Sequence, residues 1–171
     1  GTTIDGDASG TRSLDLSAGD NGTVTIASDV GGINPLLSFT VRGGPGTSAA
    51  TDRATQADLQ AVTTNGGDII VVANTINANG ALTTQGASGG TLTIDGGGIT
   101  LAAGLVVAAD NITLLGNGGV DQDLIITAAL TSATTINLSA TRDIIVQNLI
   151  DTSGGAASNI IRTADSDLVG N

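Results

Sequence analysis

The chain of 171 residues carries 16 acidic and 5 basic side chains, which gives it a net charge of −11. All the acids are Asp and all the bases are Arg; His, Cys, Lys, Glu, Met, Trp and Tyr are absent, and Phe39 is the only aromatic residue. These absences exclude Ser-His-Asp and Cys-His nucleophile pairs, imidazole or thiolate metal sites and disulfides, and five scattered Arg in an acidic chain predict no nucleic-acid partner.

Three segments of alternating apolar and polar residues mark the N-terminal third. They are 13–17 (SLDLS), 23–26 (TVTI) and 37–41 (LSFTV). Strict alternation is typical of a β-strand with one buried face. The stretches between them, 19–22 and 31–35, are rich in Gly, Asn and Asp, which favour turns. We therefore predict three strands joined by tight turns before residue 42.

The segment 43–65 interrupts this pattern. It begins with Gly43-Gly44-Pro45-Gly46, which predicts a loop, and its part from Ala54 to Val62 (ATQADLQAV) has apolar spacing compatible with a helix. We expect a loop or short helical insertion at 43–65 that protrudes from one corner of the regular structure. An irregular coil of that structure is the alternative.

A repeat organises the C-terminal two thirds. Four consecutive blocks, 66–88, 89–110, 111–133 and 134–156, each hold three short aliphatic bursts separated by turn residues. In block order, the bursts centre on Ile70, Ile76 and Leu82; Leu92, Ile99 and Val106; Ile112, Ile125 and Leu130; and Ile136, Ile145 and Ile150.

A period of this length with three strands is what a parallel β-helix requires, because each coil contributes one strand to each of three stacked sheets. The predicted fold is all-β: one right-handed parallel β-helix, or β-solenoid, over residues 1–171, with about 23 residues and three short strands per coil and about seven coils. A narrow lumen filled by Val, Ile, Leu and Ala agrees with the shortage of aromatic residues. We find no amphipathic capping helix at either terminus, so we predict that coils continue, covalently or by end-to-end stacking of subunits.

Two long segments resemble the repeats of filamentous haemagglutinin-like large bacterial exoproteins. In those repeats a T-V-T-I-like strand is followed by V-G-G, P-L and an S-L-T-V-like strand, as in 23–41 (TVTIASDVGGINPLLSFTV). The stretch 66–94 (GGDIIVVANTINANGALTTQGASGGTLTI) is similar to their GG-initiated coils. Asn34-Pro35-Leu36-Leu37 departs from the N-P-N-G-like motif of the family's secretion domain, so the resemblance does not place the segment there.

The resemblance implies a secreted or surface-displayed bacterial fibre or adhesin, acting in adhesion, aggregation or matrix building. The expected location is extracellular or at the cell surface. The expected partners are further coils, and cell-surface or matrix polysaccharide.

Calcium is the one cofactor that the sequence leaves open. Asp5-Gly6-Asp7-Ala8-Ser9-Gly10 has the spacing of a calcium loop, but Leu16 stands where the bidentate acid is required. The stretch 116–121 (GNGGVD) is similar to a β-roll calcium repeat, but Asp123 occupies an apolar position and the motif does not recur. Asp165 and Asp167 form a weaker pair. We predict solvated turn aspartates here and assign no metal, cofactor or catalytic residue.

Paired carboxylates raise the alternative of a carbohydrate-active β-helix enzyme. Asp143 beside Arg142 is one candidate, and Asp68, Asp95 and Asp121 on adjacent coils are another. Because sugar-stacking aromatic residues are absent, we predict that the chain is not an enzyme. A calcium-dependent surface-layer module is the other alternative.

Two further possibilities fail on the pattern alone. The pairs Thr23/Thr25 and Thr91/Thr93 suggest an ice-binding face, but such pairs do not recur at constant register. The longest apolar runs, 69–73 and 105–109, are far shorter than the roughly 18 residues of a transmembrane helix, so no membrane span is predicted.

Overall fold

A computed structural model describes residues 3–19, 21–44, 52–86, 89–101, 105–108, 110–116, 122–152 and 159–164. These residues form sixteen β-strands, and every strand pair between them is parallel. The strands stack into a β-solenoid, which confirms the predicted fold class. The described part of the chain holds no helix, and therefore none long and apolar enough to cross a membrane.

The solenoid has three faces, each a column of strands. Face one consists of β1 (Leu14–Ser17), β3 (Phe39–Arg42), the first half of β6 (Ile69–Ala78), the first half of β8 (Leu92–Leu101), β10 (Asn111–Gly116), β13 (Thr135–Ala140) and β16 (Asn159–Thr163). Face two consists of β2 (Thr23–Thr25), β4 (Ala54–Leu59), the second halves of β6 and β8, β11 (Leu124–Ile126) and β14 (Ile144–Val146). Face three consists of β5 (Val62–Asn65), β7 (Leu82–Gln85), β9 (Leu105–Ala108), β12 (Ala129–Ser132) and β15 (Ile150–Asp151).

In the described part of the chain, five turns carry a strand on all three faces, rather than the seven predicted. They begin at β3, β6, β8, β10 and β13. Among the described residues the first turn is partial: it has β1 and β2, and on face three it has isolated bridges instead of a strand, which join Val30 to Ile4 and Val62, and Leu36 to Thr64. β16 belongs to a further turn of which the structure describes this one strand.

The lumen is a set of aligned aliphatic columns. On face one, Phe39, Ile69, Leu92, Ile112 and Ile136 follow one another in register, and all five are fully buried. Stacking like residues buries each side chain against the turns above and below it, and each Å² of apolar surface removed from water stabilises the fold by about 25 cal/mol. The single aromatic ring lies inside this lumen.

The register confirms most of the predicted repeat and corrects two positions. Ile76 pairs with Ile99, Leu82 with Val106 and Leu130 with Ile150, as the blocks predict. However, Leu92 pairs with Ile69 rather than Ile70, and Ile99 pairs with Leu124 rather than Ile125. Both corrections fall within runs of aliphatic residues, where the sequence offers two phases and a one-residue slip moves a side chain from the lumen to the surface.

The described residues of the segment 43–65 form no helix. Its described residues include β4 and β5, and residues 45–51 lie outside the described part. The helix-like spacing arises because β4 follows the bend between faces one and two. Ala54 and Ala57 are both fully buried, as are Ala73 and Ile76 beside them. A bend shifts the inward phase from two residues to three, which mimics a helical pattern.

The turn that begins at β3 contains more residues than the next turn. Ile69 follows its register partner Phe39 by 30 positions, whereas Leu92 follows Ile69 by 23. The N–H of Gly43 donates to the backbone oxygen of Asp52 at 2.6 Å, so the two ends of the longer connection meet. The rest of the predicted insertion falls on residues 45–51, which lie outside the described residues.

Candidate functional site

The two aspartates of the calcium-like loop face different partners. The Asp5 carboxylate accepts the Thr3 hydroxyl at 2.5 Å and the Ile33 N–H at 3.0 Å. The Asp7 carboxylate accepts the Thr11 N–H at 3.1 Å and Nε of Arg12 at 3.3 Å. These bonds fasten the N-terminal segment and do not converge on one point.

Hydrogen bonding also fixes the charge of both groups. The Thr3 hydroxyl, followed by the Ile33 N–H, lowers the pKa of Asp5 below its ordinary value of 3.8. The Thr11 N–H is the main cause that lowers the pKa of Asp7 to about 2. Each bond favours the ionised carboxylate, because only that form is a full acceptor. Both groups are therefore anions at neutral pH and cannot donate a proton there.

Arg142 binds the carboxylate of the preceding turn. Its Nε and Nη2 donate to the two oxygens of Asp123 at 2.7 and 2.5 Å, and the N–H of Asp143 donates to Asp123 Oδ1 at 3.2 Å. The Arg142 hydrogen bond lowers the pKa of Asp123. The carboxylate of Asp143 lies 3.9 Å from Arg142 and is largely exposed. This cluster is an ion pair between two turns, and it holds Asp123 ionised rather than ready to act as a general acid.

The other proposed carboxylate cluster does not form. Asp68 lies level with Thr91, whose N–H donates to it at 2.8 Å, whereas Asp95 lies level with Val72, four positions further along the strand. Asp121 lies outside the described residues, as do Asp165 and Asp167. Within the described ranges, no three acidic side chains are grouped so that they could hold a metal ion.

The threonine pairs do not form a repeated array. Thr93 is in register with Thr113, but the next residue in that column is Asn137. Thr23 and Thr25 are in register with Gln56 and Asp58. The outer faces therefore present a mixture of hydroxyl, amide and carboxylate groups.

A buried ion pair, which the sequence did not predict, ties three turns together. Arg53 Nη2 donates to Asp95 Oδ1 at 2.6 Å, and Nη1 donates to the backbone oxygen of Asp95 at 2.8 Å and of Ala73 at 3.4 Å. Both residues are 8% exposed. Gly96 allows close approach to the Ala73 carbonyl that Arg53 binds, because a Cβ there would lie 2.9 Å from this backbone oxygen. The signal in the sequence is weak: Asp95 is followed by three consecutive glycines.

Buried hydroxyls fasten another corner. Thr64, Thr84 and Ser132 occupy inward positions on face three and are almost fully buried. Each donates to a backbone oxygen beyond the corner: Thr64 to Gly67 at 2.8 Å, Thr84 to Gly90 at 2.8 Å and Ser132 to Asp110 at 2.6 Å. At Gly90 and Asp110 the hydroxyl is a second donor, because these oxygens also accept the backbone N–H groups of Asp110 and Thr134.

A cavity of about 520 Å³ opens at the N-terminal end of the lumen. Its walls are the inner sides of the partial first turn, with apolar side chains from Ile4, Leu16, Val24 and Ile26. Leu16 and Val24 are only half-buried, whereas Val41 and Ala57 on the strands stacked against them are fully buried. The cavity is the mouth of the aliphatic lumen.

Comparison with known proteins adds no relative. No protein-family model matches the chain, and neither the curated proteins nor the solved structures contain a match to it. The resemblance to haemagglutinin-like repeats accordingly stays a prediction.

Proposed function

We propose that this chain is a structural repeat segment of a secreted or surface-displayed bacterial fibre or adhesin. In this role the solenoid acts in adhesion, aggregation or building of an extracellular matrix. The observation that carries the proposal is the uninterrupted parallel stack of face one from β1 to β16, which bonds every turn to the next along a single axis. A rod of this kind can space or display surfaces at a distance from a cell without any catalytic group.

The placement of charge supports this proposal. Asp5, Asp7 and Asp123 use their carboxylates in hydrogen bonds within the fold, and Arg42 pairs with Asp15 on the neighbouring strand. A net charge of −11 surrounds the rod with a negative field that opposes lateral aggregation. Association along the axis, where backbone edges and the lumen are presented, is then favoured over association side by side.

The test is to display residues 1–171 on a bacterial strain that neither aggregates nor adheres by itself. We expect cells that display the chain to aggregate more than cells of the same strain without it, or to be retained more strongly on polysaccharide-coated surfaces. The matched control is Leu92→Asp at equal display level, because a carboxylate in the fully buried Leu92 column disrupts the stack. Equal behaviour of the two chains would overturn the proposal.

A further inference from the structure

Asparagine is followed by glycine at four places in the chain: 21–22, 65–66, 79–80 and 117–118. This dipeptide is chemically reactive, because the glycine nitrogen can attack the asparagine side-chain carbonyl and glycine has no Cβ that hinders the approach. The structure describes the first three pairs, and the fourth lies outside the described residues. All three described asparagines are exposed, so exposure does not distinguish them.

The hydrogen bonds of the glycine N–H groups do distinguish the three pairs. The Gly22 N–H donates to the Gly19 oxygen at 3.1 Å, and the Gly66 N–H donates to the Gln85 oxygen at 2.6 Å. The Gly80 N–H donates to no oxygen of the described residues. A bonded N–H must leave its acceptor before its nitrogen can attack, whereas Gly80 needs no such local opening.

Gly80 lies in the three-residue connection between β6 and β7. The ladder continues on either side of it: the Asn79 N–H donates to the Leu59 oxygen at 2.9 Å, and the Ala81 oxygen accepts the Val62 N–H at 2.9 Å. The position requires glycine, because a Cβ there would lie 2.3 Å from a backbone nitrogen of the preceding turn. The fold therefore demands glycine directly after an exposed asparagine.

Aspartate before glycine can undergo the same ring closure, and the structure protects both such aspartates. The Gly6 N–H, which follows Asp5, donates to the Asn34 oxygen at 2.8 Å. Asp95 is 8% exposed, and its carboxylate accepts a hydrogen bond from Arg53. Among the described dipeptides of this kind, only the pair at 79–80 combines an exposed side chain with an N–H that has no acceptor.

We propose that Asn79 is a site of spontaneous modification, at which the folded chain converts asparagine to isoaspartate and aspartate. The Gly80 nitrogen forms a bond to Cγ of Asn79, the Cγ–Nδ2 bond breaks, and Nδ2 leaves as ammonia with the proton from Gly80. Water then opens the cyclic imide. Opening at Cγ gives aspartate, and opening at the backbone carbonyl carbon gives isoaspartate. Neither step requires an enzyme, a cofactor or an oxidant.

Each conversion changes the corner between faces two and three. A carboxylate replaces a neutral amide, so the net charge becomes more negative. Isoaspartate also routes the backbone through the former side chain, which lengthens the connection between β6 and β7 by one carbon atom. Older molecules are therefore more acidic, and a fraction of them carry a longer connection at this corner.

The experiment follows residues 1–171 by peptide mapping and mass spectrometry during incubation in mildly alkaline buffer, which promotes loss of the proton from the glycine nitrogen. In the folded chain we expect Asn79 to convert at least about tenfold faster than Asn21 and Asn65, because a bonded N–H reacts only after local opening. In the same chain unfolded by urea, we expect similar rates at all three, since each is followed by glycine.

Asn79→Gln is the matched control. Glutamine keeps the exposed amide but must close a larger ring, which forms far more slowly. We expect this variant to keep the melting temperature of the unmodified chain and to lose the conversion at position 79, while the rates at Asn21 and Asn65 stay the same. Asn79→Asp supplies the aspartate product as a standard, from which chromatography separates isoaspartate.

Equal rates at the three asparagines of the folded chain would overturn the proposal. A rate at Asn79 that folding reduces as strongly as it reduces the rate at Asn65 would overturn it as well, because the Gly80 N–H would then be protected. Both results are independent of the proposed adhesive function, since the reaction takes place within one chain.

Discussion

Arginine and aspartate form ion pairs between turns at three places in the described residues, and the burial of each pair decides how much it contributes to stability. Arg42 pairs with Asp15 and Arg142 with Asp123 at partly exposed positions, where such pairs contribute about 0 to 1 kcal/mol. Arg53 and Asp95 are shielded from water, so removing one partner leaves the other as a buried, uncompensated charge.

Arg53→Met is expected to lower the free energy of unfolding by about 3 to 5 kcal/mol, measured by urea denaturation. The double variant Arg53→Met, Asp95→Leu recovers most of that loss, because the register neighbours of Asp95 are Val72 and Leu115 and an aliphatic column results. Arg12→Met, at a side chain 75% exposed, changes stability by less than about 1 kcal/mol. Additive losses in the double variant would show that the two side chains do not act as a pair.

Acid should weaken the N-terminal turn. The folded state holds the pKa of Asp7 at about 2, below its ordinary value of 3.8. A lowered pKa contributes stability that is complete above the unfolded value and is lost as the pH falls through the folded one. We expect the urea midpoint to fall between about pH 4 and pH 2, and Asp7→Asn to reduce the size of that fall.

The control for this prediction is Asp29→Asn, because the Asp29 carboxylate accepts no hydrogen bond from the described residues. This variant keeps the full acid dependence. If Asp7→Asn and Asp29→Asn have the same profile, the hydrogen bonds around Asp7 do not couple its ionisation to folding.

At the level of the strand, the sequence predicts regular elements well and corners poorly. Alternation identifies β1, β2 and β3, because a side chain that faces the lumen must be followed by one that faces water. The bend within β6 and β8 carries inward residues in succession, such as Val71, Val72 and Ala73, and no fixed period describes it. The same bend gives β4 its helix-like spacing, so the helical prediction for this segment is wrong.

Contacts between elements cannot be predicted from this sequence for a different reason. Arg53 and Asp95 are separated by 42 positions and lie two turns apart, so local spacing contains no sign of their contact. The packing of Phe39 inside the lumen was similarly unexpected. The lumen accepts an aromatic ring between Leu14 and Ile69, so its width does not by itself explain why aromatic residues are rare.

Some corner glycines are required only because their φ is positive. At others a Cβ would also clash with a neighbouring atom. Gly19 and Gly31 have φ of 76° and 69°, a region that costs other residues about 1 to 2 kcal/mol. A Cβ at Gly31 would also lie 2.2 Å from the Thr63 oxygen, whereas nothing lies within 4 Å of one at Gly19.

Gly31→Ala should therefore destabilise the chain by clearly more than Gly19→Ala, which is expected to cost about 1 kcal/mol. Gly31 lies beside Val30, which bridges to Val62, so the clash disturbs the first two turns of face three. Thermal unfolding followed by circular dichroism measures both variants. Equal losses would mean that the corner moves freely to accept a methyl group.

For the whole molecule, stability in a solenoid is a sum of turns and their nearest-neighbour contacts. Central turns are covered on both sides, whereas β1, β2 and β16 are covered on one side within the described residues. Amide hydrogen exchange under monomeric conditions should accordingly be slowest in β6 and β8 and fastest in β16, whose five residues are all exposed.

Uniform protection along the chain in the monomer would contradict the nearest-neighbour description.

The hydrogen bond from the Gly43 N–H to the Asp52 oxygen has a consequence for engineering and for evolution. It closes the base of the connection between β3 and β4, so these strands stay in place when the number of residues between Gly43 and Asp52 changes. Lengthening a closed loop costs only about 0.6 kcal/mol for each doubling. This corner is therefore a suitable position for inserting a foreign peptide. The peptide would be held at one position along the solenoid axis, and the strands on either side would keep their register.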